Sequence, residues 1–164
     1  MINPRNHDEL DFDRLQRGFA YTSILEIPGS STVDSVALFI NEGAHPVRLS
    51  NLSFGALESS NVEVTWKIYT APTILAKGTH SLSINRNAIF ATAPNHAPGA
   101  SLYVSPTISV DGILVESLST SKHNKVQSSE LKAVMAPGSS YFLKKTSGNL
   151  SGKSISLRVD WNER

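Results

Sequence analysis

Residues 62–69 read Val-Glu-Val-Thr-Trp-Lys-Ile-Tyr, the clearest strand pattern in the chain. The even positions hold Val, Val, Trp and Ile, whereas Glu and Lys stand at odd positions. Successive side chains of a β-strand point to opposite faces of the sheet. The alternation therefore predicts a strand with one buried face and one face in water.

The same strand opens a sequence frame that occurs twice. Tyr-x-x-Pro-Thr-Ile-x-x-x-Gly runs from Tyr69 to Gly78 and again from Tyr103 to Gly112, an offset of 34 residues. Proline lacks a backbone donor and is confined to strand edges and bulges, and glycine supplies the positive φ of tight turns. Two copies are too few for a solenoid. The repeat therefore predicts two equivalent corners of one β-sandwich or barrel.

Short alternating segments separated by Gly, Pro and Asn turns continue along the chain and predict roughly eight to ten strands. Asp111-Gly112 between apolar residues predicts a β-hairpin, and residues 92–100 and 117–130 are predicted to be surface loops. The candidate segments for these strands are residues 19–27, 33–40, 47–54, 62–69, 81–84, 89–92, 102–104, 107–110, 113–118, 141–145 and 155–161.

These patterns predict an all-β protein, a single antiparallel β-sandwich of jelly-roll type, with a short extended N-terminal arm. Residues 1–17 form the predicted arm and residues 18–164 the β-sandwich domain. The arm is polar and charge-dense, and Leu10, Phe12 and Leu15 are its large apolar side chains. A segment this short has little stable structure when free, so we expect it to order on a partner through these three residues.

Composition excludes several classes of function. The chain has 164 residues and a net charge of +1, so no overall field draws it to nucleic acid or to an anionic membrane. It has no cysteine, which excludes disulfides, thiolate metal sites and thiol catalysis. The first residues lack the pattern of a secretory signal peptide, and no apolar run approaches the length of a membrane-spanning helix.

Catalytic patterns are missing from the sequence. The histidines stand at positions 7, 45, 80, 96 and 123, without the close pair typical of a zinc site. The carboxylates Glu58, Glu63, Asp111, Glu116 and Asp160 are expected to be solvated charges at strand ends or on wet strand faces. We therefore predict no catalytic, metal-binding or cofactor-binding residue. The two tryptophans, Trp66 and Trp161, could stack on sugars. Both stand at the apolar positions of their alternating strands, which favours a place in the hydrophobic core.

Several short sequence motifs follow one another along the chain. They are Ala44-His-Pro-Val-Arg-Leu49, Asn85-Arg-Asn87, Tyr103-Val-Ser-Pro-Thr-Ile-Ser-Val-Asp-Gly112, Ser140-Tyr-Phe-Leu-Lys-Lys-Thr-Ser147 and Ser154-Ile-Ser-Leu-Arg-Val-Asp-Trp161. Over residues 18–162 this layout resembles a family of small all-β virion proteins of tailed bacteriophages. The resemblance implies a structural role in the particle, on the head surface or in tail-associated fibres, and no catalytic residues.

Two functions follow from the resemblance. The first is a capsid decoration (cement) protein that binds the major capsid protein or other virion proteins, as a homotrimer, with Leu10, Phe12 and Leu15 as contacts. The alternative is a tail-fibre or receptor-binding module that recognises host carbohydrate, with His96 and Tyr103 as the nearby rings. Either protein would be located in the virion, after assembly in the host cytoplasm. A β-sandwich glycosidase is disfavoured because no paired carboxylates are apparent.

Overall fold

The structure is a computed structural model that describes residues 19–56, 62–86, 97–121, 126–129 and 131–163. Strands dominate these ranges, and no α-helix is among the described elements. The strands are β1 Ala20–Pro28, β2 Asp34–Asn41, β3 Val47–Ala56, β4 Val64–Thr70, β5 Thr73–Ala76, β6 Thr79–Ser81, β7 Ile84–Asn85, β8 Ala100–Val104, β9 Thr107–Val110, β10 Ile113–Thr120, β11 Val126–Ser128, β12 Ala133–Met135, β13 Ser140–Lys145 and β14 Ser154–Glu163.

These strands form two facing antiparallel sheets and a separate ribbon. Sheet A has the order β11-β3-β14-β1-β7, with β12 also paired to β3, and sheet B has the order β10-β4-β13-β2-β8-β6. The ribbon is the pair β5-β9. From β1 to β4 the chain alternates between the sheets, and after β10 it alternates again through β11, β13 and β14. This connectivity is that of a jelly roll, so the prediction of an all-β, antiparallel, jelly-roll-like sandwich is confirmed.

The inward faces of the two sheets pack around both tryptophans. Trp161 lies 5.6 Å from the ring of Tyr21 and 5.1 Å from that of Phe39, and Trp66 lies 5.2 Å from the ring of Phe54. The indole nitrogen of Trp66, fully enclosed, donates to a threonine hydroxyl at 2.9 Å. Burial of this much aromatic surface is the main stabilising contribution to such a core. The prediction that both tryptophans belong to the core is confirmed.

The repeated frame corresponds to a local two-fold relation within sheet B. At the first corner Ala71 has a φ of 53°, and its counterpart Ser105 has the same value. Gly78 and Gly112 have φ values of 90° and 93°. Strand pairing follows the same relation, because β10 pairs with β4 at one edge as β6 pairs with β8 at the other. The two predicted equivalent corners are therefore present.

The ribbon closes a second, smaller core on the outer face of sheet B. Leu38, Ile40 and Phe142 are buried there, on the side opposite to the tryptophans. The ribbon contributes one isoleucine from each copy of the frame, and each copy also contributes its tyrosine. Sheet B is thus covered on both faces, and the chain has three layers where the ribbon lies. These packed side chains from the two copies are Tyr69, Ile74, Tyr103 and Ile108.

Three local predictions differ from the structure. Asp111-Gly112 does not form a hairpin, because β9 pairs with β5 in the ribbon whereas β10 pairs with β4 in sheet B. The predicted strand 81–84 is divided between β6 in sheet B and β7 in sheet A. The predicted loop 117–130 is shorter, since β10 continues to Thr120 and β11 occupies Val126–Ser128. The predicted strand 89–92 lies outside the described residues.

Candidate interaction surfaces

The three residues predicted to contact a partner, Leu10, Phe12 and Leu15, lie outside the described residues. The described chain begins beside the end of β14, where the amide of Glu163 donates to the carbonyl of Phe19 at 2.8 Å. The first described residue therefore lies at this end of the sandwich. That the three residues contact a partner stays a prediction.

A cleft of about 280 Å³ lies at the same end and is lined partly by Phe19, Asn41 and His45. Its carboxylate, Glu163, accepts hydrogen bonds from the backbone amides of Gly99 and Ala100 at 2.8–2.9 Å. The indole nitrogen of the second core tryptophan donates to the same carboxylate at 2.9 Å. Glu163 is thus held by neutral donors and ties β14 to the start of β8.

The outer surface beside the ribbon carries a cluster around Tyr103. The Tyr103 hydroxyl donates to the carboxylate of Glu42 at 2.9 Å, and Lys77 forms an ion pair with the same carboxylate. The Lys77 ammonium lies 5.6 Å from the Tyr103 ring centre, and His80 packs edge-on against this ring at 5.3 Å. Burial alone would raise the pKa of Glu42, but the hydrogen bonds from Lys77, Ser101 and Tyr103 outweigh it and lower the pKa.

This cluster bears on the carbohydrate alternative. A sugar-binding tyrosine stacks an open ring face against the ligand, whereas Lys77 and His80 already contact the Tyr103 ring. The other ring proposed for that function, His96, lies outside the described residues. Among the described residues, therefore, Tyr103 is a packed member of a surface ion-pair cluster.

Asp160 departs from the expectation of a solvated carboxylate. It is buried on the face of sheet A that points away from the core. One carboxylate oxygen accepts from Arg158 Nε at 2.9 Å and from Asn51 Nδ2 at 3.2 Å. The other oxygen, Oδ1, is buried without a hydrogen-bond partner, as is Oγ1 of Thr22 on the neighbouring strand. The prediction of a wet strand face is wrong at this position.

Lys145 is a buried cation that sequence analysis missed. Its ammonium donates to the carbonyls of Thr32 and Gly148, which joins the β1–β2 turn to the β13–β14 turn. Burial lowers the pKa of Lys145, and the nearby charge of Asp34 offsets part of this effect. The alternation within β13 could have predicted this burial, because Lys145 shares a face of the strand with the inward-pointing Leu143.

The remaining ionisable groups do not converge in the part of the chain that the structure describes. In those ranges no group of three or more His, Cys, Asp or Glu side chains could hold a metal ion. Asp111 pairs with Lys144 at 2.6 Å, and Glu116 accepts from Ser129, each on a different part of the surface. Between the sheets there is a cavity of about 10 Å³, roughly the room for one water. Glu58 and the histidines 7, 96 and 123 lie outside the described residues.

One edge of sheet B exposes several apolar side chains. Strand β10 is the last strand of sheet B, and its first three residues, Ile113, Leu114 and Val115, are exposed. Val110 at the end of β9 is exposed beside them. The pairing of β10 with β4 shifts register between Leu114 and Glu116, so a bulge lies within this segment. Exposed apolar edges of this kind are sites of association unless they are covered.

No helix among the described residues has the length and hydrophobicity needed to cross a membrane.

No family model matches this chain, and no curated protein matches it in sequence at a significant level. In a comparison with solved structures, the acidic stable capsid structure of Helicobacter pylori bacteriophage KHP30 aligns with a TM-score of 0.44 and 11% identity, covering 89% of each chain. The structure of tomato aspermy virus aligns with a TM-score of 0.29 and 10% identity, covering 88% of this chain and 78% of that one. At these scores and identities, neither alignment assigns a family or a function.

Proposed function

We propose that this protein is a structural component of a bacteriophage virion. More narrowly, it is a capsid decoration (cement) protein that binds the outer surface of the head and stabilises it. Its partner is the major capsid protein or another virion protein, and it assembles as a homotrimer. The arm, residues 1–17, contacts the particle through Leu10, Phe12 and Leu15.

The observation that carries this proposal is a jelly-roll body with a filled interior. Jelly rolls are used by viral capsid proteins, by lectins and by cupins. A site inside the roll needs an interior cavity, and the cavity that described residues line between the sheets has a volume of about 10 Å³. A fold does not fix a function by itself. The sequence resemblance to small phage virion proteins selects among the three classes.

The alternative, a tail-fibre or receptor-binding module, has weaker support. Its recognition of carbohydrate needs open aromatic faces, and Tyr103 is contacted by Lys77 and His80. A glycan array is the direct test of this alternative. Binding that is lost when Tyr103 is changed to alanine, with the fold intact, would favour the receptor-binding module over the decoration protein.

The arm is tested by a capsid-binding titration with the full chain. In the triple variant Leu10→Ser, Phe12→Ser, Leu15→Ser, we expect at least about 100-fold weaker binding, since burying each apolar side chain contributes about 1.5–3 kcal/mol. The matched control changes the polar arm residues Asn6 and His7 to alanine and should bind normally. Undiminished binding by the triple variant would remove the arm from the proposal.

Cryo-microscopy of the intact particle tests the location independently of the arm. Density for this jelly roll on the outer head surface, around local symmetry axes, is the expected result. Density only in the tail would favour the fibre alternative. Absence of the protein from purified particles would overturn the virion proposal altogether.

A further inference from the structure

The cleft beside the end of β14 contains a carboxylate without a cationic partner. The hydrogen bonds that Glu163 accepts come from neutral groups, the amides of Gly99 and Ala100 and the indole of Trp161. In the part of the chain that the structure describes, no ion pair involves Glu163. Other carboxylates of the body do pair with a cation, namely those of Glu42, Asp111 and Asp160.

The two oxygens of Glu163 are unequally occupied. Oε1 accepts from the amides of Gly99 and Ala100 and from the indole nitrogen of Trp161, each at 2.9 Å. Oε2 accepts only from the Gly99 amide, at 2.8 Å, and shares this hydrogen with Oε1. A carboxylate oxygen has two lone pairs. Oε2 therefore keeps room for a further hydrogen-bond donor.

Glycine at position 99 keeps the space beside Oε2 clear. A Cβ atom there would lie 3.3 Å from Oε2 of Glu163 and 3.1 Å from the Cα atom of Gly43. The absence of this atom also lets the turn after β2 approach the start of β8, where the amide of Glu42 donates to the carbonyl of Gly99 at 3.0 Å. Four of the eight residues that line the cleft are small, so side chains leave its interior open: Gly43, Ala44, Ala97 and Gly99.

We propose that this cleft binds a cationic N–H donor, an ammonium or guanidinium group, at Oε2 of Glu163. Hydrogen bonds between a cationic donor and a carboxylate are roughly twice as strong as neutral ones. The cleft, about 280 Å³, is just below the range of about 300–1,000 Å³ in which drug-sized ligands bind, so it suits a group the size of one basic side chain.

The surroundings of Glu163 discriminate against other ligands. An anion cannot use the amides of Gly99 and Ala100, because the carboxylate already occupies them. A hard metal ion such as Ca²⁺ needs about six to eight oxygen ligands, whereas Glu163 is the one acidic side chain among the described residues that line the cleft.

The charge of Glu163 also acts beyond its own hydrogen bonds. After burial, this charge is the second cause that raises the pKa of Tyr21. The neutral donors therefore do not cancel the negative charge, and a cation in the cleft would interact with it favourably. This inference concerns the cleft alone and does not rest on the proposed virion function.

Nuclear magnetic resonance of the isotope-labelled full chain, titrated with ethylguanidinium chloride at constant ionic strength, tests the proposal. The reporters are the amide signals of Gly99 and Ala100 and the indole signal of Trp161, because these groups donate to the carboxylate that binds the probe. We expect saturable shifts of these signals at millimolar probe concentrations, and none with ethylurea, a neutral probe of similar shape. Absence of saturable shifts with ethylguanidinium would overturn the proposal.

A capped arginine tripeptide distinguishes two sources of the cation. Saturable shifts with both the tripeptide and ethylguanidinium would assign the site to a basic side chain of a partner protein. Shifts with ethylguanidinium alone would assign it to a free small cation. Both results support a site for a cationic N–H donor.

Substitution of the carboxylate gives a second readout. Glu163→Gln should weaken ethylguanidinium binding at least about tenfold, since the amide side chain is neutral. The matched control Glu63→Gln removes the same charge from an exposed position and should bind the probe as the wild type does. Equal binding by Glu163→Gln would contradict the proposal. The comparison of ethylguanidinium with ethylurea needs no substitution, so it decides the question even where Glu163→Gln folds poorly.

Discussion

Replacing Gly78 with alanine tests the two-fold relation between the two corners of sheet B. A Cβ atom at Gly78 would lie 2.1 Å from the carbonyl oxygen of Val104, and one at Gly112 would lie 2.3 Å from that of Thr70. Each glycine thus packs on the backbone of the opposite copy of the repeated frame. Real Cβ atoms do not approach a carbonyl this closely, so the backbone has to move in either variant.

The expected effect combines two contributions. A φ near +90° is unfavourable for an L-residue by about 1–2 kcal/mol, and overpacking against a fixed neighbour adds about 1–3 kcal/mol. Alanine also lowers the entropy of the unfolded chain, which offsets about 0.4–1 kcal/mol. We expect the free energy of unfolding to fall by about 2–4 kcal/mol in Gly78→Ala and by a similar amount in Gly112→Ala.

The chain provides a matched control for the steric part. Gly138 also has a positive φ, 80°, but a Cβ atom there would meet nothing within 4 Å. Gly138→Ala should therefore lose only the backbone contribution, about 1 kcal/mol. Urea unfolding followed by tryptophan fluorescence measures all three variants. If Gly78→Ala and Gly112→Ala are no less stable than Gly138→Ala, the reciprocal packing of the two corners is wrong.

Two further predictions concern stability at alkaline pH. Burial and the charge of Glu163 raise the pKa of Tyr21 to about 12. Because the folded protein holds this proton more tightly than the unfolded chain, the neutral Tyr21 side chain stabilises the fold fully below pH 10. This stabilisation, about 2–3 kcal/mol, is lost as the pH rises from about 10 to 12. Tyr21→Phe should remove this part of the loss in urea unfolding across that range, and an identical pH dependence in the variant would contradict the assignment. Lys145 has the opposite sign, because burial lowers its pKa below 10.5 and stability rises with pH between the lowered value and 10.5. In Lys145→Met the free energy of unfolding should no longer rise with pH in this range. The variant should also be about 1–3 kcal/mol less stable at neutral pH, because the carbonyls of Thr32 and Gly148 lose their donor. Unchanged stability would show that the two carbonyls do not need the ammonium.

The sequence predicts strands well where one face is buried and the other is wet. The alternation in residues 62–69 and 155–161 locates β4 and β14 to within a few residues, and it places both tryptophans in the core. The repeated frame predicts two equivalent corners because proline and glycine constrain the backbone locally. These signals depend on the residue itself and its nearest neighbours in the chain.

Partners that are distant in the chain were not predictable in the same way. Asp111-Gly112 does turn the chain, but the pairing of the flanking strands depends on β4 and β5, which precede it by about forty residues. Asp160 occupies a position in the alternation that predicts a solvated side chain, and nothing in the sequence of β14 indicates that this side chain is buried. Lys145 is the opposite case. Its position in the alternation of β13 indicates an inward-pointing side chain, but a lysine is expected to be exposed, so the sequence analysis missed its burial.

The two-fold relation also shows which surface residues the fold does not require. Edge strand β6 begins with Thr79 and His80, and the equivalent residues of edge strand β10 are Ile113 and Leu114. The backbones pair in the same manner at the two edges, and a polar pair is accommodated at one of them. The aliphatic residues of β10 are therefore not needed to form the edge, and in water they make it prone to association. The pairing of the edge strand therefore does not account for these aliphatic residues.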